Sequence, residues 1–170
     1  MKNANKIITL FLISIIIFSL TSCKQDDKNT TKTNDIITWN EITKKGVDEQ
    51  LLMTNINQEK LEYIAKELQT ITTILVEKGN KDKSYWQTAQ WYNDVKNSIQ
   101  YQNVIKLNNV ALKPLYLIIY KSPNQGLYEY ICALAFTDVY GGDFAKEVSW
   151  STSKEFLKLF NQKILNNQTS

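Results

Sequence analysis

Thr137-Asp138-Val139-Tyr140-Gly141-Gly142-Asp143 places two carboxylates around a glycine pair. Acids so spaced could share general acid and base work, or offer oxygen ligands to Ca²⁺. The same residues also suit an ordinary β-turn, because Asp and Gly tolerate turn geometry. No further Asp, Asn or Glu lies close enough in sequence to complete a calcium cage, so no metal is expected. Glu129, the only charge in Leu127–Phe136, is the other carboxylate candidate; near a strand end it is expected to be solvated. A hydrolase using Asp138, Asp143 or Glu129 as acid and base is the enzymatic reading.

Composition removes most other chemistry. The 170 residues contain no His, which excludes Ser-His-Asp and Cys-His nucleophilic sites and histidine-ligated zinc. The five glycines are scattered apart from Gly141-Gly142, so no phosphate-cradling loop is present and no cofactor is expected. Every basic residue is lysine. Without the planar fork of arginine, bidentate recognition of phosphate or guanine edges loses its preferred residue, so nucleic acid is not an expected partner. Cys132 sits between Ile131 and Ala133-Leu134 and reads as a buried, inert thiol.

Aromatic residues are the remaining candidates for contact. Tyr85, Trp86, Trp91, Tyr92 and Tyr101 crowd one stretch, and Tyr116, Tyr120, Tyr128 and Tyr130 follow. Aromatic rings stack on sugars and are favoured at protein interfaces, but they also fill cores. A helix capped by Ser84 and running to about Ile99 would put Tyr85, Ala89, Tyr92, Val95 and Ile99 on one face. Trp86 then points the opposite way and Trp91 lies on the flank. Trp86 and Trp91 are therefore the candidate contact residues.

The elements that must position these groups suggest an α+β domain over residues 36–166. Ile36 to Leu52 holds a short helix weakened by Gly46. Leu61, Ile64, Ala65, Leu68, Ile71 and Leu75 recur at steps of three and four, predicting a helix from about Asn57 to Lys78 with Gly79-Asn80 as its stop. Leu115–Tyr120 (LYLIIY) and Leu127–Phe136 (LYEYICALAF) are rich in β-branched and aromatic residues, with Ser122-Pro123-Asn124-Gln125-Gly126 between them. They read as an antiparallel hairpin covered on both faces. Alternation over Phe144–Trp150 adds a third strand, and Thr152 with Glu155 forms a capping box for a closing helix buried through Phe156, Leu157, Phe160 and Ile164. The expected fold is N-terminal helices, an antiparallel sheet of three or four strands and a C-terminal helix, with residues 167–170 as a frayed tail.

The chain's address is written ahead of this domain. Met1–Lys6 carries two lysines, and Ile7–Leu20 is apolar except for Thr9, Ser14 and Ser19. That is the pattern of a signal peptide, too short for the roughly 20 residues of a spanning helix. Leu20-Thr21-Ser22-Cys23 resembles the bacterial lipobox. The resemblance implies removal of residues 1–22, a diacylglyceryl thioether on Cys23 and an acylated new amino terminus. Each buried methylene contributes about 0.8 kcal/mol, so two or three acyl chains hold a protein firmly on a membrane. Cys23-Lys24-Gln25-Asp26-Asp27 is similar to the export signal of surface lipoproteins in Bacteroidetes, which implies the outer membrane and the cell exterior, with a periplasm-facing anchor as the alternative. Lys24–Asp35 has no apolar residue and reads as a flexible tether spanning roughly 20 Å. Removing Lys2 and Lys6 from the 20 lysines leaves 18 against 17 acids, so the processed chain is nearly neutral.

Together these features point to an envelope lipoprotein with a non-catalytic binding role towards a protein or glycan. The alternative is an immunity or inhibitor lipoprotein that neutralises an envelope toxin or hydrolase; a carboxylate-dependent hydrolase stands third.

Overall fold

The computed structural model describes residues 38–142, 144 and 148–166. The expected signal segment, Cys23, the expected tether, Asp143 and the expected tail at 167–170 lie outside these residues. Two short helices come first: α1, Trp39–Ile42, capped by Thr38 and Glu41, and α2, Glu49–Met53, capped by Asp48. Helix α3, Gln58–Lys81, begins where the Asn57 side chain accepts the Lys60 N–H at 2.9 Å. Its stripe of Leu61, Ile64, Leu68, Ile71 and Leu75 is buried, with Ala65 half-buried. The expected stop at Gly79-Asn80 does not operate. The helix runs through Gly79 and ends at Asp82, and the glycine serves a packing purpose described below.

The expected single helix from Ser84 to Ile99 is broken into three pieces. Asp82, not Ser84, caps a 3₁₀ turn over Lys83–Gln87, by accepting the Ser84 N–H at 2.9 Å and its hydroxyl at 2.7 Å. Helix α4 covers Gln90–Asn97, and Ser98 caps a new helix, α5, Ile99–Ile105. These breaks reset the angular register, so the face drawn from one continuous helix does not form. Tyr85 and Val95 are buried, whereas Ile99 is 63% exposed.

No sheet forms: among the described residues β-pairing is limited to a single bridge between Lys44 and Gly46. The α+β expectation is replaced by an all-helical fold. Both supposed hairpin strands are helices, α6 over Leu112–Lys121 and α7 over Leu127–Tyr140, and the Ser122–Gly126 loop makes them a helical hairpin. Runs that are apolar on every side carry no period that separates a covered strand from a buried helix. Pro114 lies inside α6. It sits at the third helical position, where a missing N–H costs nothing because first-turn donors have no intrahelical acceptor. Among the described residues of the expected third strand no strand forms: 148–150 are irregular, and Val148 N–H donates to Phe144 O at 3.1 Å.

Helix α7 is the axis of the fold, packing on α3, α5 and α6 and on α8, Ser153–Asn166. It is apolar nearly all round, as a helix enclosed by others must be. Phe136 on α7 meets Trp39, Tyr116, Tyr140, Phe156 and Phe160 at centroid distances of 5.3–6.2 Å, or 4.9 Å for Phe160. Helix α8 starts at the expected place, with Thr152 Oγ1 accepting the Glu155 N–H at 3.1 Å and Phe156, Leu157, Phe160 and Ile164 all buried. The Glu155 carboxylate, however, accepts the Ser151 N–H at 2.7 Å instead of closing the box on Thr152. Two lysines close helix C-termini from other elements. Lys113 Nζ donates to the carbonyls of Leu51 and Thr54 beyond α2, and Lys154 Nζ donates to Ile119 O at 2.8 Å and Ser122 O at 2.5 Å beyond α6.

Candidate functional site

The tight 3₁₀ turn after α3 sends two neighbouring aromatics in different directions. Tyr85 turns inward, and its hydroxyl donates to Asp94 Oδ2 at 2.7 Å. Asp94 also accepts from Lys78 Nζ at 2.6 Å and Gln90 Nε2 at 2.8 Å. One carboxylate thus ties α3, the turn and α4 together. Trp86 turns back across α3 and lies against Gly79, edge-to-face with Tyr85 at 5.2 Å. A Cβ on Gly79 would stand 2.0 Å from the indole Nε1 and 2.2 Å from Cε2, closer than any real contact allows. The bare backbone at Gly79 is the seat of Trp86. The indole is nevertheless 38% exposed.

Trp91, at the start of α4, is half-buried and packs edge-on against Tyr130 of α7 at 6.0 Å, while Tyr130 packs on Trp150 at 4.7 Å. Trp150 in turn meets Phe156 of the core at 5.4 Å. Between Trp86 and Tyr130 lies an open groove of about 620 Å³, lined by Val76, Trp86, Trp91, Gln125, Gly126, Leu127 and Tyr130. None of these side chains is charged. The two tryptophans singled out from sequence therefore meet at one groove, although the continuous helix used to orient them does not exist.

The far wall is the α6–α7 loop, and Glu129 holds it. Its Oε1 accepts the Ser122 hydroxyl at 2.7 Å and its Oε2 accepts the Gly126 N–H at 2.9 Å. Glu129 is buried, not solvated at a strand end; it caps the N-terminus of α7, where negative charge is favoured by the helix dipole. Burial and the neighbouring Glu129 charge keep the Cys132 thiol protonated well above its ordinary range, so it has no nucleophilic character.

Asp138 is not part of a β-turn. It lies in the last turn of α7, which ends at Gly141 and Gly142 with φ of 65° and 67°, positive values that glycine adopts without a Cβ clash. Its Oδ2 accepts from Lys96 Nζ at 2.5 Å and from the Tyr101 hydroxyl at 2.8 Å. Tyr101 is fully buried, and burial first, then the Asp138 charge, pushes its phenol far above the usual range. This arrangement joins α4, α5 and α7, and it points to structure before acid–base work. Among the described residues no three His, Cys, Asp or Glu side chains gather in a way that could hold a metal ion.

Val76, Gln125 and Leu127 escaped the sequence reading, which named Tyr130 only among the aromatics of the supposed hairpin. One signal for the groove was present, an isolated glycine inside a strongly periodic helix, which marks a close approach to the backbone. Comparison with known family models, curated proteins and solved structures finds no match to this chain.

The Asp94 contacts carry a pH signature. The Lys78 ammonium first, then the Tyr85 hydroxyl, holds the Asp94 carboxyl below its ordinary value, against the opposing effect of burial. A lowered folded-state pKa means the stabilisation is complete above the unfolded value of about 3.9 and is lost as pH falls through the folded value. Thermal unfolding followed from neutral pH into that acid range is expected to show a smaller loss in Asp94→Asn than in wild type. Equal slopes would show that Asp94 does not anchor the turn.

Proposed function

We propose that this chain is a lipid-anchored envelope protein whose folded part binds a partner through the Trp86–Trp91 groove and catalyses no reaction. The anchoring half rests on the apolar segment and the Leu20-Thr21-Ser22-Cys23 motif, with Lys24-Gln25-Asp26-Asp27 favouring display at the outer surface of the outer membrane. No helix among the described residues is long and apolar enough to cross a membrane. The binding half is carried by one observation: three large aromatics from three separate elements converge on one open, uncharged groove.

Exposed tryptophan surface is costly to leave in water, and rings arranged around a concavity are what small-molecule and hot-spot sites use. The carboxylates have other duties. Glu129 and Asp138 are consumed by helix capping and by the Lys96–Tyr101 contact, which favours binding over hydrolysis. The test is retention of envelope material, proteins and glycans alike, by the immobilised mature chain. Trp86→Ala is expected to keep the helical circular dichroism of wild type and to lose the retained species. A variant that retains the same species at wild-type levels would refute the groove as the binding site.

A further inference from the structure

We propose that the groove takes a neutral saccharide chain, one sugar unit lying against the exposed part of the Trp86 indole. The inference rests on the reading of the groove as a binding site and narrows its ligand. Three features select the class.

The first is charge. No lining side chain is ionisable to a cation or a carboxylate; among charged groups on the same elements, the Glu129 carboxylate is taken up by Ser122 and Gly126, and Lys78 and Asp94 neutralise each other at 2.6 Å. No charge in the lining rewards an anionic or cationic ligand for its lost hydration. The second is size. Seven lining residues and about 620 Å³ fit a small ligand, whereas a protein partner covers about 20–30 residues per side. The third is openness. Trp86 and Val76 remain 38% and 42% exposed, so an occupant keeps one side in water. A wholly apolar occupant would gain only part of its transfer free energy there. A pyranose ring suits such a site because its C–H face is apolar and its edges carry hydroxyls. Its positively polarised C–H hydrogens complement the negative face of an indole. Gln125, exposed at the rim, and the Tyr130 hydroxyl have no hydrogen-bond partner among the described residues and supply donors and acceptors for those hydroxyls.

Titration calorimetry and tryptophan emission on the mature chain test this with neutral hexasaccharides of glucose, mannose and xylose. An oligogalacturonate serves as the anionic probe and N-phenyl-1-naphthylamine as the neutral apolar one. At least one neutral hexasaccharide is expected to bind, with an affinity insensitive to ionic strength. Trp86→Ala is expected to weaken it at least about tenfold, equivalent to 1.4 kcal/mol. Gln125→Ala, at an exposed loop position that cannot endanger the core, is expected to weaken it severalfold.

Salt-sensitive binding of the oligogalacturonate alone would overturn the inference. Binding of the naphthylamine alone, lost in Trp86→Ala, would overturn the saccharide and leave the groove intact. Hexasaccharide binding indifferent to both substitutions would overturn the groove as well. If no probe binds, the saccharide is excluded, and the groove then stands or falls on the retention experiment with Trp86→Ala.

Discussion

Gly79→Ala is expected to leave the helices in place and to dislodge Trp86. In an ordinary helix interior this substitution stabilises, because Ala exceeds Gly by about 1 kcal/mol in helix propensity. Here the new methyl would fall 2.0–2.5 Å from three indole atoms, and α3 cannot yield, being buried through Leu68, Ile71 and Leu75. The indole must swing into solvent, so the sign reverses to a loss of roughly 1–3 kcal/mol, the usual cost of overpacking. Far-UV circular dichroism should not change, Trp86 should become accessible to a collisional quencher, and ligand retention should fall as in Trp86→Ala. The clearest check is a cycle. In a Trp86→Ala background the clash is gone, and Gly79→Ala should recover its ordinary stabilising sign, a coupling of more than 1 kcal/mol between the two positions. Additive effects would show that the indole does not rest on this glycine.

The largest loss of stability is expected from Phe136→Ala. The ring is fully buried on the central helix and touches five other rings drawn from α1, α6, α7 and α8. Removing it deletes the transfer free energy of the ring and leaves a cavity whose walls are themselves rigid aromatics, for about 3–5 kcal/mol. Domains of this size hold about 5–15 kcal/mol in total, so the variant should be near the edge of folding. Urea unfolding measures the effect, with Phe136→Leu expected to recover more than half of it. A cost below about 1 kcal/mol would be incompatible with this packing. A parallel signature comes from Tyr116, whose phenol is pushed up to about 12 by burial while its hydroxyl donates to Asn161 Oδ1 at 2.8 Å. It should remain un-ionised when exposed tyrosines titrate.

How much of this was readable in advance differs between elements for physical reasons. Helix α3 was legible because one of its faces is wet: the apolar steps of three and four stand out against Glu, Lys and Thr on the other side. Helix α8 was legible through Thr152 and Glu155, whose local hydrogen bond needs no tertiary partner. Helices α6 and α7 were misread as strands because enclosure on all sides erases the pattern, and Ile118, Ile119 and Tyr130 favour strands when only local preference counts. A local sign of α7 was nevertheless available. Gly126 followed three residues later by Glu129 is a helix-start signature, and Ala133-Leu134-Ala135 is good helix material.

The groove was half readable. Trp86 and Trp91 were singled out as aromatics without an apparent core, but Tyr130 was hidden in a supposed strand, and the loop's part in the wall depends on the helical hairpin.

By itself the sequence determined what chemistry is out of reach, through its lack of His and Arg, and marked the helices whose signals are local. It also carries the lipobox-like segment at Cys23 on which the proposed anchoring rests. Tertiary structure alone decided that the apolar runs coil instead of pairing, since only neighbours can cover a helix that is greasy all round. It alone decided where Trp86 points. That direction depends on a glycine seven residues earlier on another element, and no local propensity encodes a contact between two separately built surfaces.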